Sequence, residues 1–446
     1  MMRTYLDHAA GTPLLKDSEV DNLIFNNDEW ANISFMYNPS SIYKEGTQSK
    51  ALLNKARSAI AKILNCHDLE VYFMPNSTYS IATAMSTGRE GTIITTNIEH
   101  KAVLDNLNNT KDLNNNKNII LKVEENGILK ELTLRETLNK IEILKNKEKI
   151  LVTIMYANNE IGTVQKSKEY GRIIDAYNRE NNLNAENRVL YHIDASQASN
   201  YLDLDVRKLR CDMLTLNSSK CYGPHGIALL YIKEDIRHRV QPLMRGGNQE
   251  RGIYSGTENV SGAMGFAESF TYVQSIREKE SDRLLTIRDK FIKMYHDEIW
   301  SRISCRPTPQ SIPEGKDRRC SSCVCGERLL YGSNEINERL PNNINIRVPG
   351  VPSDEMVIRL DQKGFAVSHR SACATAGRTS PEEGRRRATN DSSDTNNDDY
   401  VLKAIGADDK ESNENIRISM GLYTTMDDMM DLLTAILEIY DKYGKR

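Results

Sequence analysis

The stretch CDMLTLNSSKCYGPHGIALLYI, residues 211–232, sets one lysine, Lys220, between two apolar runs. Residues 213–216 read as a short buried strand and residues 227–232 as a second. The connection between them, 217–226, is rich in Ser, Gly and Pro, which let a loop tip take unusual dihedrals. A lysine in such a loop, taken alone, is an ordinary solvated charge. The run just before it, VLYHIDASQ at 189–197, changes that reading, because it is a third apolar segment and ends in an acid and an amide, Asp194 and Gln197.

Working outward, the same alternation continues toward the N-terminus. Residues 47–64 place apolar side chains at three and four spacing, the pattern of an amphipathic helix. Strands are expected at 71–74, 92–96, 119–123 and 150–156, and helices at 80–86, 101–106, 132–144 and 167–179. Strands alternating with helices at this spacing imply an α/β fold with a mostly parallel sheet covered on both faces. Such sheets bind ligands in loops beyond the carboxyl ends of their strands. Toward the C-terminus the pattern changes. A long helical stretch is expected over about 267–295, an irregular insertion over 305–342, a strand at 344–348 and a helix at 355–363. The polar, charge-blocked segment 378–399 is expected to be mobile. The chain closes with a strand at 416–420 and a helix over 425–442, for which Thr425 and Asp428 have capping-box spacing.

At 446 residues the chain is too long for one ordinary core, so a large domain and a smaller one are expected. A composition of 39% hydrophobic and 27% charged residues is that of a soluble globular protein. The formal charge of -3 gives no support to nucleic-acid binding through a basic surface. No apolar run approaches the ~18 residues of a membrane span, and the first residues lack a signal or transit character. A cytoplasmic location and reduced thiols follow as expectations for the eight cysteines. Cys320, Cys323 and Cys325, with Cys305 nearby, contain a C-x-x-C element of the kind found in zinc sites. With no second well-spaced pair, no metal is expected. Cys221 is expected to pack, and Cys66 and Cys211 to be core or surface thiols.

A lysine for a Schiff base and a carboxylate that keeps a pyridinium nitrogen charged are the two side chains pyridoxal phosphate chemistry needs, and Lys220 and Asp194 are placed to supply them. Together with YLDHAAGTP at 5–13, MPNSTYS at 74–80, TTNIEHKAVLDNL at 95–107, MYANNEIGTVQ at 155–165, RGGNQERGIYSGTENV at 245–260, VSHRSACATAG at 367–377 and IRISMGLYTT at 416–425, they give the chain a resemblance to the class V aminotransferase family of fold-type I pyridoxal phosphate enzymes, and within it to the cysteine desulfurases. The resemblance covers nearly the whole chain. It implies a mostly parallel mixed sheet in a large domain (16–262), a smaller α+β domain built from both chain ends (1–15 with 263–446), and a homodimer.

Carried over position by position, the resemblance implies that Ser77 and Thr78 form the phosphate-binding turn, although they also suit an N-cap. It implies that His100 stacks on the cofactor ring and moves protons, that Asn158 lies near the ring hydroxyl and substrate, that Asp194 pairs with the ring nitrogen, and that Gln197 donates to the ring oxygen. Lys220 holds the cofactor and acts as base at the substrate α-carbon, with Asn217 and Ser219 as phosphate donors. Ser219 stands where a histidine is usual and Asn217 where a serine is usual, while Tyr254 replaces a common arginine. Thr257 matches a residue that reaches the partner subunit's phosphate. Cys373 matches the nucleophile that receives sulfur, with His369 and Arg370 close by, and Arg417 the side chain that grips the substrate carboxylate. The implied activity converts L-cysteine to L-alanine with a persulfide on Cys373, passed to an acceptor protein for iron-sulfur assembly or tRNA thiolation. The alternatives are a related enzyme, such as a selenocysteine lyase or an aminotransferase, and a desulfurase-like binding partner without catalysis.

Overall fold

A computed structural model describes residues 3–15, 24–25, 29, 37–108, 118–141, 149–303, 328–369 and 399–444. In chain order its main elements begin with β1 (Thr4–Tyr5), α1 (Lys44–Leu64), β2 (Val71–Met74), α2 (Ser77–Met85), β3 (Thr92–Thr96), α3 (Lys101–Asn108), β4 (Ile119–Leu121) and α4 (Glu131–Lys140). They continue with β5 (Ile150–Met155), α5 (Ser167–Glu180), β6 (Leu190–Asp194), β7 (Met213–Asn217), β8 (Ala228–Ile232), α6 (Val260–Ser275) and α7 (Arg277–Ile303). The last are β9 (Asn343–Arg347), α8 (Ser353–Gln362), β10 (Phe365–Ala366), β11 (Asn415–Ser419) and α9 (Met426–Tyr443).

The chain divides into two compact units. One comprises His8–Glu280 with Ser333–Leu340 and contains a seven-stranded sheet in the order β2-β8-β7-β6-β5-β3-β4. Strands β7, β6, β5, β3 and β4 are parallel neighbours, and β8 is antiparallel to both β7 and β2. Strand β2 therefore runs in the direction of β7, and the expected mostly parallel mixed sheet is the one formed. Every residue of β5 and β6 is buried, which is why these strands read as continuous apolar runs rather than alternating ones. On one face the core gathers Ile81, Ala84 and Met85 of α2 with Met213, Leu230 and Ile232 of the sheet. Helix α1 buries Leu53, Ala56, Ile60, Ala61 and Leu64 and packs against α6.

The other unit comprises Met1–Asp7, Ser281–Gly332 and Pro341–Arg446. In it β9 and β11 pair antiparallel, from Asn343 opposite Ser419 to Arg347 opposite Asn415, and β1 pairs parallel with β10. Helix α9 opens with the expected capping box, the Asp428 N–H donating to Thr425 Oγ1 at 3.1 Å and the Thr425 N–H to Asp428 Oδ2 at 2.8 Å. It buries Met429, Leu432, Leu433, Ile436 and Ile439, one apolar stripe at helical spacing.

The helical stretch expected over about 267–295 is formed as two helices, α6 and α7, because Ile276 leaves helical geometry at φ -102° and ψ 1° and caps α6 through its N–H to Tyr272 O. No glycine or proline marks that break. The expected irregular insertion is described only from residue 328 onward. There its backbone is largely irregular but anchored, with Leu329, Tyr331 and Leu340 buried. Residues 304–327 and 370–398 lie outside the described residues, and with them Cys305, Cys320, Cys323, Cys325, Arg370, Cys373 and nearly all of the segment 378–399. Among the described residues no helix is long and apolar enough to cross a membrane. No cluster of three or more metal-ligating side chains occurs among them either.

Candidate active site

The turn that carries Lys220 is built by its own side chains. Strand β7 ends at Asn217, whose Oδ1 accepts from the Ser219 N–H at 3.1 Å and from Ser219 Oγ at 3.0 Å, closing a 3-10 turn over Ser218–Lys220. The amide Nδ2 of Asn217 donates to Ser77 Oγ at 3.0 Å, so two of the residues expected to bind phosphate are in direct contact. Beyond the lysine, Tyr222 takes a left-handed φ of 63°. Gly223 follows where a Cβ would come within 2.2 Å of Ser218 Oγ, so no larger residue fits the return of the chain.

The segment His8–Thr12 is laced onto this turn across more than two hundred residues of sequence. The Thr12 N–H donates to Ser219 O at 2.9 Å, and the Tyr222 N–H donates to Thr12 Oγ1 at 2.7 Å. Lys220 Nζ donates to Ala9 O at 2.9 Å and to Ala10 O at 2.5 Å, and Gln197 Nε2 donates to the same Ala9 O at 3.0 Å. Two side chains assigned to the cofactor thus converge on one carbonyl. On the far side of the turn, Asn200 Nδ2 donates to Lys220 O at 2.8 Å.

Asp194 closes β6 and is 7% exposed. Its Oδ1 accepts from the Ser196 N–H at 3.0 Å and from Ser196 Oγ at 2.6 Å. No hydrogen bond among the described residues reaches Oδ2, which leaves one carboxylate oxygen for a cationic N–H. Ser77 and Thr78 open α2, and the Asn76 side chain caps it by accepting from the Tyr79 N–H at 2.8 Å. The N–H groups of Ser77 and Thr78 have no partner within the helix and suit an anion. This donor set fits pyridoxal phosphate: Lys220 could take its aldehyde carbon, Asp194 its ring nitrogen, and Ser77, Thr78, Asn217 and Ser219 its phosphate.

His100 precedes α3, and its Nδ1 accepts from the Ala102 N–H at 3.1 Å. Asn158 is fully buried and occupied by local structure, with Oδ1 accepting from the Glu160 and Ile161 N–H groups at 2.8 and 3.0 Å and Nδ2 donating to Ile98 O at 2.9 Å. Its side chain holds the turn after β5. Tyr254, where the resemblance implies a common arginine, packs edge-on against Tyr79 with ring centroids 5.2 Å apart. The loop before it is strained, with Glu250 and Arg251 at φ 42° and 54°, and is tied down by the buried ion pair of Glu250 with Arg57. Thr257 follows as an exposed loop residue.

Ser77, His100, Asn158, Asp194, Gln197, Asn217, Ser219 and Lys220 all lie at or just beyond the carboxyl ends of strands β2, β3, β5, β6 and β7, on one edge of one sheet. Arg417 lies in the other unit, on β11, 1% exposed and paired with Asp7 Oδ1 at 2.7 Å. In the same unit His369 Nε2 lies 3.1 Å from Asp354 Oδ1.

Some groups at this edge carried no signal in the sequence. The Ala9 and Ala10 carbonyls are invisible to a search for side chains, although the small residues of HAAG permit the close approach. Glu99, beside His100, is fully buried; its Oε1 accepts from Thr96 Oγ1 at 2.6 Å and its Oε2 from the Met155 N–H at 2.9 Å. Burial, and then the charge of Asp194, push its carboxyl up to about 8. The thiols Cys211 and Cys221 are buried and Cys66 is half-buried. Burial raises all three, Cys66 to about 12, so none of them is a ready nucleophile.

Comparison with known proteins agrees with this geometry. The Aminotransferase class-V family model matches residues 4–307. The chain is 30% identical over 444 residues to the cysteine desulfurase IscS of Dictyoglomus turgidum, covering 97% of this chain and 94% of that protein. It is 28% identical over 453 residues to the cysteine desulfurase IscS of Clostridium botulinum strain Hall, covering 100% and 95%. A solved NifS-like protein superposes with a TM-score of 0.75 at 25% identity, covering 99% of this chain and 100% of the other. With a family match over more than half its length and a full-length relative at 30% identity, the chain belongs to the class V aminotransferase family, in its cysteine desulfurase branch.

Proposed function

We propose that the protein is a pyridoxal-phosphate-dependent cysteine desulfurase that converts L-cysteine to L-alanine and carries the sulfur as a persulfide on Cys373. The observation that supports this best is the convergence of Lys220 and Gln197 on Ala9 O, on the sheet edge that also presents Asp194 and the Asn217–Ser77 contact. Bound pyridoxal phosphate supplies an electron sink for the bond-breaking at the substrate α-carbon.

The chain's own residues divide the remaining work. Ser77, Thr78, Asn217 and Ser219 hold the phosphate with uncharged donors, and Thr257 is assigned to the phosphate of a partner subunit in a homodimer. Asp194 keeps the ring nitrogen protonated through Oδ2, while Ser196 fixes Oδ1. His100 and Asn158 are assigned to the ring face and to the ring hydroxyl with the substrate; Asn158, locked by three hydrogen bonds, acts as a rigid wall. Lys220 moves the α-proton, Nζ leaving the Ala9 and Ala10 carbonyls to do so. Arg417 grips the substrate carboxylate with its planar fork. The Cys373 thiolate attacks the substrate sulfur; an S–S bond forms, the Cβ–S bond breaks, its electron pair stays with Cβ, and protonation there yields the methyl of alanine. The persulfide then passes to an acceptor protein for iron-sulfur assembly or tRNA thiolation, in the cytoplasm.

Two measurements test this. The purified protein titrated with pyridoxal phosphate is expected to develop an absorption band that Lys220→Ala lacks. Alanine release from cysteine is expected to collapse in Cys373→Ala. Unchanged turnover in that variant would discard the desulfurase reading in favour of a relative acting on another amino acid, and absence of the band in wild type would favour a non-catalytic binding partner.

A further inference from the structure

Beneath the carboxyl edge of the sheet runs a line of buried hydrogen bonds that none of the roles above uses. Thr153 Oγ1 lies 2.8 Å from His192 Nδ1, His192 Nε2 lies 3.0 Å from Thr215 Oγ1, and Thr215 Oγ1 lies 2.8 Å from Ser80 Oγ, which donates to Leu229 O at 3.1 Å. All four side chains have no exposed surface. They join strands β5, β6, β7 and β8 through helix α2.

The proton count gives this line one direction. A hydroxyl has a single proton, and that of Ser80 is directed at Leu229 O, so Ser80 accepts from Thr215. With its own proton committed, Thr215 accepts, and His192 Nε2 must donate. Burial lowers the imidazole to about 4, against the opposing pull of Asp194, so the ring is neutral at physiological pH. Nδ1 then has no proton and accepts from Thr153. Every donor and acceptor along the line is satisfied in this arrangement, and a fully satisfied buried network defines its own geometry.

His192 is two residues before Asp194 on β6, and a strand period of two puts both on the same face. Thr215 is the register partner of Asp194 and is two residues before Asn217. Ser80 is on the first turn of α2, behind Ser77 and Thr78.

We propose that His192, fixed as the neutral Nε2–H tautomer, is a positioning residue for the cofactor: through Thr215 and Ser80 it locks the strand carrying Asp194 to the strand leading to Lys220 and to the helix whose N-terminus receives the phosphate. The neutral ring places no cation behind the Asp194 side chain. This inference rests on pyridoxal phosphate being the ligand at Lys220.

Two measurements decide it. In the ¹⁵N-histidine-labelled holoprotein at pH 7, His192 is expected to show a protonated Nε2 and a bare Nδ1; a protonated Nδ1 overturns the assignment. Thr215→Val keeps the shape of the side chain but removes its hydroxyl, while Thr215→Ser keeps the hydroxyl. Titrated with pyridoxal phosphate and followed by absorption, Thr215→Val is expected to bind about tenfold more weakly than wild type, the scale of one lost buried hydrogen bond, and to shift the bound absorption maximum. Thr215→Ser is expected to recover most of both. Wild-type affinity and spectrum in Thr215→Val would overturn the positioning role while leaving the cofactor reading intact. Failure of the wild type to bind pyridoxal phosphate would overturn both. If Thr215→Val does not fold, the nitrogen spectrum of the wild type decides.

Discussion

Replacing Glu99 with glutamine gives the sharpest test of the electrostatics at the sheet edge. Burial, and then the neighbouring charge of Asp194, raise the Glu99 carboxyl from 4.5 to about 8 in the folded chain. A carboxyl with a higher pKa folded than unfolded binds its proton more tightly in the native state, so between these two values the native state carries more protons. Stability then falls as pH rises. The contribution is fully present below about pH 4.5 and is lost progressively as pH climbs to about 8. The slope is ~1.4 kcal/mol per pH unit, so on the order of 3 kcal/mol is lost by pH 7. The substituted glutamine removes the titration and keeps both partners, its carbonyl accepting from the Met155 N–H and its amide donating to Thr96 Oγ1, which reverses the direction of that one bond. Urea unfolding of both proteins at pH 5, 6, 7 and 8 measures the effect as a difference, in which every other titrating group cancels. Glu99→Gln is expected to gain on wild type with each step up in pH. A difference that stays constant from pH 5 to 8 would refute the raised carboxyl and, with it, the placement of a neutral acid beside Asp194.

Three further outcomes are expected. Arg57 and Glu250 form a bidentate pair at 2.7 and 2.9 Å with side chains 6% and 2% exposed, so Arg57→Met should lower unfolding stability by about 3–5 kcal/mol by stranding the carboxylate. The double variant Arg57→Met with Glu250→Leu should recover part of that loss, and urea melts compare the two. Arg417→Lys should raise the KM for cysteine at least ~tenfold with a smaller change in kcat, because an ammonium replaces a two-pronged fork; steady-state kinetics read the split. Brief alkylation of the native protein at pH 8 followed by peptide mapping should leave Cys66, Cys211 and Cys221 unmodified, since burial raises all three thiols.

Much of the fold was legible because its signals are local. The alternation of apolar runs and helical stripes located β2 through β8 to within a few residues, and Thr425 with Asp428 announced the start of α9. The break between α6 and α7 was not legible, because Ile276 is a residue that helices accept and only its geometry ends one and begins the next. Asn158 shows a different limit. Its residue type suits a ring contact, and no sequence pattern reported that the folded chain also commits its amide to three backbone groups.

At the Lys220 turn the division is clear. The sequence by itself determined that a lysine at a loop tip follows an acid at a strand end, since both facts depend only on neighbours in the chain. Tertiary structure alone decided that the Ala9 and Ala10 carbonyls hold the amine, that burial raises the Glu99 carboxyl, and that His192 links two threonines. Those properties arise from burial and from contacts between residues distant in sequence. Burial sets the protonation state, and no pattern along the chain reports how much water the folded state leaves around a side chain.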